Sequence, residues 1–246
     1  MKVVILGGTR GIGRALAQRL AERGEPLFLL GRDVEDLSRS AADLQARGGA
    51  GRIGHAACDL ERPAGFAAAL DAADVALGGF DTVIVTAGRF ATEEALEADV
   101  ELARRLTTVN YANTVAFCEH VRKRLLSRGG GALVVFSSVA GDRGRKPVII
   151  YGSSKAGLAA YLEGLDHKFH ADGLYVLCVK PGFVKTGMTA GLPVPPFAGE
   201  PDAVARDVVA ALDRRRTAVL YTPRVWALVM LVIRWLPRFV MRKIGF

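Results

Sequence analysis

Tyr151 and Lys155 stand four residues apart in the stretch Tyr151-Gly-Ser-Ser-Lys155, and Ser138 lies thirteen residues before the tyrosine. Side chains at i and i+4 are neighbours on a helix surface, so a helix here sets a phenol and an ammonium on one face. A cation so placed favours the phenolate and draws the tyrosine below its ordinary pKa of about 10. Tuned in this way, a tyrosine exchanges protons near neutral pH, which is general acid–base chemistry. The same pair also occurs on exposed helices with no such task, so its meaning depends on what surrounds it.

Apolar runs rich in Val, Ile and Leu recur at Val3 to Leu6, Leu27 to Leu30, Val83 to Val85, Leu133 to Phe136, Tyr175 to Val179 and Ala218 to Tyr221, with a weaker run from Ile53 to Cys58. They read as strands buried on both faces. Between them, helical spacing covers Gly13 to Arg23, Asp33 to Arg47, Pro63 to Leu77, Glu93 to Arg104, Asn110 to Ser127, Tyr151 to Phe169 and Asp202 to Arg215. Strand and helix alternate throughout, which predicts one α/β domain, a doubly wound parallel sheet of Rossmann type with helices on both sides.

The first strand runs into Gly7-Gly-Thr9-Arg10-Gly11-Ile12-Gly13 before a helical pattern resumes. Glycines there let the backbone turn tightly and approach a ligand, and the helix start offers free N–H groups and a positive dipole end to a pyrophosphate. This loop is the predicted dinucleotide site. At the end of the second strand an acidic residue would accept ribose hydroxyls and repel a 2′-phosphate, yet Gly31 and Arg32 stand there. Arg32 with Arg10 makes a cationic clamp suited to NADP(H). Asp33 next door keeps NAD(H) open. Asp59 after the third strand is a candidate for the adenine edge, and Ala87-Gly88 after the fourth for close passage of backbone past the cofactor.

The chain has 246 residues, half of them hydrophobic, enough for one sizeable core. Cys58, Cys118 and Cys178 are odd in number and sit in apolar runs, which reads as buried thiols rather than disulfides or a metal site. Met1 leads straight into Lys2-Val-Val-Ile-Leu6 with no leader of signal-peptide form, so the expected location is cytoplasmic. The net charge is +8, and the segment from Asp213 to Phe246 holds seven arginines and a lysine against one aspartate. Aliphatic residues interleave those cations, which argues against nucleic acid as the partner.

With Gly7, Gly11 and Gly13, Thr86-Ala87-Gly88, Asn110, Ser138, Tyr151-x-x-x-Lys155 and Pro181-Gly182 in this order, the chain resembles the short-chain dehydrogenases/reductases over residues 1 to about 222. The resemblance implies seven parallel strands in the order 3-2-1-4-5-6-7 and a tetrad of Asn110, Ser138, Tyr151 and Lys155. It also implies a homodimer or homotetramer built through the helices that begin near Asn110 and Tyr151. Tyr151 would protonate the alkoxide left by hydride transfer to a ketone, Ser138 would hold the same oxygen, and Lys155 would lower the Tyr151 pKa and bind the nicotinamide ribose. Asn110 would position a water relay, Pro181, Gly182 and Thr186 would face the nicotinamide, and Ser137 is the rival for the serine role. Thr86 replaces the asparagine usual in that family and keeps only a hydrogen-bonding side chain.

Residues 183 to 201, rich in Gly and Pro, have too little periodicity for a stable element and read as a substrate loop. Met188, Leu192 and Phe197 suit an apolar substrate or, equally, seal the core. Beyond residue 222, the uncharged run from Val225 to Ile233 is nine residues, far short of the roughly 20 that span a bilayer. Arg234, Arg238 and Arg242 recur every four residues against Trp226, Met230, Trp235, Phe239 and Phe246, the pattern of a helix in a headgroup plane at the inner face of a membrane. Packing on the fold or on another subunit is the alternative. The tail together with Asn110-Tyr111, Gly152-Ser-Ser-Lys155 and Pro181-Gly182 resembles decaprenylphosphoryl-2-keto-ribose reductases, which implies a lipid-linked ketone substrate. A reductase of small soluble carbonyls and a non-catalytic dinucleotide sensor are the competing readings.

Overall fold

Short runs of β-branched and leucine residues carry the sheet. The computed structural model describes residues 1–48 and 53–244. Its strands are β1 (Val3–Leu6), β2 (Leu27–Gly31), β3 (Ile53–Ala57), β4 (Thr82–Val85), β5 (Gly131–Phe136), β6 (Leu174–Pro181) and β7 (Val219–Thr222). All pair in parallel, in the order β3-β2-β1-β4-β5-β6-β7. β1, β4 and β5 are buried along their whole length, as strands covered on both faces must be.

Helices α1 (Gly11–Glu22), α2 (Val34–Gly48) and α8 (Pro201–Arg214) cover one face. α3 (Phe66–Leu77), α6 (Thr114–Leu126) and α7 (Ile149–Phe169) cover the other. In α1, Leu16, Ala17, Leu20 and Ala21 form the stripe turned to the sheet, and each buried leucine contributes about 2 kcal/mol. Phe66 and Phe117 meet edge to face at 5.4 Å between α3 and α6.

Two of the expected helices differ by more than a shift of a few residues at their ends. The helix expected over Glu93 to Arg104 is split into α4 (Glu93–Ala98) and α5 (Val100–Thr107), because Asp99 adopts an extended backbone and its Oδ1 accepts the Leu102 N–H at 3.0 Å. The helix expected to start at Asn110 has no start there. α5 continues through a π-helical segment, Thr108–Asn113, into α6, so Asn110 sits in the interior of a widened turn. Such segments re-aim a side chain without ending the helix.

The tail forms α9 (Val225–Trp235) and α10 (Arg238–Lys243), with Leu236 and Pro237 at the bend between them. No helix among the described residues is long and apolar enough to cross a membrane.

Candidate active site

The strand ends of β1, β4, β5 and β6 deliver the candidate residues to one edge of the sheet. The loop after β1 turns with Gly7 at φ 97° and Gly11 at φ 52°, conformations that favour glycine. Thr86, one residue past β4, fastens this loop: its hydroxyl lies 3.1 Å from the carbonyls of both Leu6 and Gly7. The side chain that departs from the family's usual asparagine therefore has a definite task. Arg10, at the cap position of α1, makes no side-chain bond to it, and a helix start offers its first-turn N–H groups to an anion such as a pyrophosphate. Thr186 reaches this loop, because a Cβ on Gly11 would stand 3.3 Å from the Thr186 methyl. Thr9 and Arg10 complete the turn, and Ile12 and Gly13 lie in the first turn of α1.

Tyr151 lies in the first turn of α7, two residues after its start, with Lys155 one turn on. Lys155 is 6% exposed, its Nζ donates to the Phe136 carbonyl at 2.9 Å, and it stands 5.8 Å from the Tyr151 ring centroid. Ser138 caps a short turn, Val139–Gly141, by accepting the Ala140 N–H at 3.1 Å, and it also hydrogen-bonds the Tyr151 phenol. Ser137 is turned away and donates to the Lys155 carbonyl at 2.8 Å, which ties the end of β5 to α7. The structure thus separates the two serines as the thirteen-residue spacing does.

The tyrosine's acidity runs opposite to expectation. Burial of the phenol pushes Tyr151 up to about 12, and the Ser138 hydrogen bond only partly offsets this. Burial likewise brings Lys155 down to about 8. Spacing along a helix places the two groups but says nothing of the desolvation that dominates both. Tyr151 consequently keeps its proton at neutral pH, while Lys155 changes charge just above neutrality.

Asn110, 1% exposed, clamps Arg89, its Oδ1 accepting the Arg89 N–H at 2.7 Å and its Nδ2 donating to the Arg89 carbonyl at 2.8 Å, and its Nδ2 also reaches Ser154 Oγ of α7 at 3.5 Å. This clamp fixes the turn after Ala87-Gly88 against the catalytic helix. A Cβ on Gly88 would sit 3.2 Å from Asn110 Oδ1 and 3.6 Å from Lys155 Nζ, so Gly88 marks the point where the two side chains converge.

The cofactor-selecting residues are arranged at the β2 edge. Asp33 is committed to α2, its Oδ1 accepting the Glu35 and Asp36 N–H groups at 3.0 Å. Arg32 is exposed, whereas Arg10, equally exposed, pairs with Asp36. Asp59 folds back on its own turn, Oδ1 to the Glu61 N–H at 3.0 Å, rather than extending from the strand end. Among the described residues no group of acidic, histidine and cysteine side chains is arranged to hold a metal. The three cysteines are buried, and burial raises Cys58 to about 12 and Cys178 to about 11, so their thiols are inert.

Three parts of the site were not visible in the sequence. Phe90 meets Tyr151 edge to face at 5.2 Å. Asp142, buried just past Ser138, joins Lys180 Nζ at 2.6 Å and the Tyr221 hydroxyl at 2.7 Å, tying the serine turn to the ends of β6 and β7. The Trp226 indole lies directly against Gly182, where any Cβ would overlap it, and its Nε1 donates to the Phe197 carbonyl at 3.4 Å. Residues 183 to 200 form a loop closed at its neck, with the Gly199 N–H donating to the Phe183 carbonyl at 2.8 Å and the Lys185 N–H to the Gly199 carbonyl at 3.0 Å. Met188 and Phe197 are exposed on it, which removes the reading in which they seal the core.

Known proteins share this chain's sequence pattern and fold. Residues 1–194 match the short chain dehydrogenase family model. An uncharacterized oxidoreductase from Mycobacterium tuberculosis is 34% identical over 243 residues, covering 98% of this chain and 96% of the relative. Carbonyl reductase family member 4 from Xenopus tropicalis is 30% identical over 220 residues, covering 85% and 89% of the two chains. Among solved structures, a short-chain dehydrogenase from Sphingobium yanoikuyae in complex with NADPH superimposes with a TM-score of 0.83 at 28% identity, covering 99% of this chain and 96% of that one.

Proposed function

From the premise that this chain belongs to the short-chain dehydrogenase family, and is therefore an NAD(P)-dependent oxidoreductase, we infer that it reduces a ketone borne on a hydrophobic, lipid-linked molecule with NADP(H) as its preferred cofactor. The carrying observation is Tyr151, a buried phenol held protonated beside Ser138 and one helical turn before Lys155. When bound, the reduced cofactor supplies the hydride. Tyr151 gives its proton to the resulting alkoxide, and the Ser138 hydroxyl hydrogen-bonds the same oxygen as charge builds on it. Lys155 holds the ribose hydroxyls and contributes positive charge beneath the phenol. Asn110 holds the Gly88–Arg89 turn against Lys155, with a lone pair of Oδ1 left to position a water relay.

The apolar substrate is supported by exposed Met188, Val194 and Phe197 on the 183–200 loop and by Trp226, which lies against Gly182, the position the resemblance sets at the nicotinamide. A keto group on a polyprenyl-phosphate sugar, as in the decaprenylphosphoryl-2-keto-ribose reductases, combines that greasy body with an anion suited to the arginine-rich tail. The carbonyl reductase among the relatives supports the simpler reading, a small soluble carbonyl. NADPH oxidation measured across ketones of rising chain length separates the two: kcat/KM rising at least tenfold from a short to a long-chain or prenylated ketone is expected, and a flat or falling series would assign the small carbonyl.

NADP(H) preference is supported by Asp33 Oδ1 accepting the first N–H groups of α2 while Arg32 is exposed at the end of β2. A guanidinium–phosphate contact at an exposed site is worth roughly 1.4 kcal/mol, or tenfold. Arg32→Ala is therefore expected to raise the NADPH KM about tenfold and to leave the NADH KM unchanged; equal use of both cofactors by the parent enzyme would remove the preference.

Lys155 sets a pH limit. Burial disfavours its charged form, so it loses its proton near pH 8 rather than at the ordinary 10.5. Below that pH the ammonium is present and reduction runs at its plateau. Above it the charge is lost while Tyr151, at about 12, is still protonated. The kcat/KM for ketone reduction should fall with a slope approaching tenfold per pH unit above about pH 8, and a profile level to pH 9.5 would show that Lys155 charge is not required.

A further inference from the structure

The tail presents two faces, and only one is used by the fold. Met230 and Ile233 of α9 are buried against Val139, with Tyr221, Trp226, Val229 and Met241 packed around them. Two long cations reach up from the loop after Ser138 to hold the chain in place: Arg143 donates to the Leu236 carbonyl at 2.9 Å and Lys146 to the Arg242 carbonyl at 2.7 Å. The tail is thus fixed in rotation, and what it turns outward is defined.

What it turns outward is apolar. Leu228, Leu231, Val232 and Trp235, at i, i+3, i+4 and i+7, form one helical stripe, 57% to 81% exposed, and Phe239 of α10 continues it. This corrects the face read from the sequence, in which Trp226 and Met230 belonged to the outer set; both point into the fold, and Phe246 lies outside the described residues. Exposed Arg224, Arg234, Arg238, Arg242 and Lys243 flank the stripe, and from Arg214 to the last residue no acidic side chain intervenes.

We propose that this stripe is a docking face for an anionic lipid surface, on which α9 and α10 lie in the headgroup plane. An unpartnered apolar row of this kind marks an interaction site, and its basic border selects the occupant. A second copy meeting it face to face would bring ten like charges together around the apolar contact. A nucleic acid would leave the leucines, valine and tryptophan without an apolar partner. An anionic bilayer satisfies both, taking the side chains into its interface and the arginines to its phosphates. Docked in this way, the helix that walls the crevice at Gly182 through Trp226 brings the active site to the membrane surface. The inference concerns binding and stands whatever the crevice reduces.

Co-sedimentation of the full chain with vesicles tests it, using phosphatidylglycerol/phosphatidylcholine and phosphatidylcholine alone. The full chain is expected to pellet with the anionic vesicles and to be released by salt. Leu231→Glu with Trp235→Glu should lower partitioning more than tenfold, and Arg238→Gln and Arg242→Gln about fivefold each. These side chains face solvent, so circular dichroism should be unchanged; should the glutamate pair misfold, the two glutamine variants carry the same test. The proposal is overturned if the full chain stays in the supernatant, if folded variants bind as the parent does, or if the glutamate pair converts an oligomer to monomers without altering vesicle binding, which would assign the face to a second copy.

Discussion

Tyr151→Phe is expected to lower kcat for ketone reduction by roughly a thousandfold, the middle of the range for loss of a general acid, while the NADPH dissociation constant stays within twofold. The physical basis is that only the hydroxyl is removed. The ring remains edge-on to Phe90 at 5.2 Å, α7 keeps its first turn, and Lys155 keeps its bond to the Phe136 carbonyl. Ser138 loses one partner but still caps the Val139–Gly141 turn, so the thermal midpoint should move by only a few degrees. Proton delivery then falls to water or to Ser138, whose hydroxyl is a far weaker acid. Single-turnover measurement with bound NADPH isolates this step from product release. If more than a few per cent of turnover survived with cofactor binding intact, the proton would come from another donor and the role assigned to Tyr151 would be wrong.

The positions of the reactive groups were legible where short spacing encodes them. Tyr151 and Lys155 are one helical turn apart, Ser138 follows a strand whose apolar run is unmistakable, and the glycine loop is bounded by a strand and a helix. The sheet order was legible only through family resemblance, since alternation implies parallel strands but not which strands are adjacent. Spacing failed where the outcome depends on burial or on distant partners. The Tyr151 phenol rises rather than falls because the fold closes over it, a property of tertiary packing. Thr86 was visible only as a hydrogen-bonding side chain, while its partners Leu6 and Gly7 lie 80 and 79 residues away. The same holds for Asp142 with Lys180 and Tyr221, and for Trp226 on Gly182. In the tail, helical periodicity was correct, but with apolar residues on nearly every side, the pattern could not say which of them turn inward; Val139, a residue outside the tail, decides that.

Gly13→Ala should be damaging to cofactor binding although it touches none of the proton-transfer groups. Gly13 has no left-handed backbone, so its requirement for glycine is one of space. A Cβ there would overlap the Gly7 carbonyl oxygen and stand 2.5 Å from Thr86 Oγ1, and Thr86 is itself held to that carbonyl at 3.1 Å. Neither neighbour is the free end of a flexible chain. The loop after β1 and the start of α1 must therefore move apart, spreading the N–H groups that the pyrophosphate would need together. Overpacking of this kind costs about 1–3 kcal/mol. If that cost falls wholly on the cofactor-binding geometry, the NADPH dissociation constant rises between roughly fivefold and 150-fold; if part falls on the fold, the thermal midpoint drops as well. Gly164→Ala provides the contrast, because Gly164 is in α7 with nothing within 4 Å of its Cβ position. In a helix interior that exchange stabilises by about 0.5–1 kcal/mol and should raise the midpoint without altering NADPH affinity. Isothermal titration of both variants distinguishes a specific cradle from general sensitivity to alanine. Parent-like NADPH affinity in Gly13→Ala would mean that the loop after β1 is not where the dinucleotide phosphates sit.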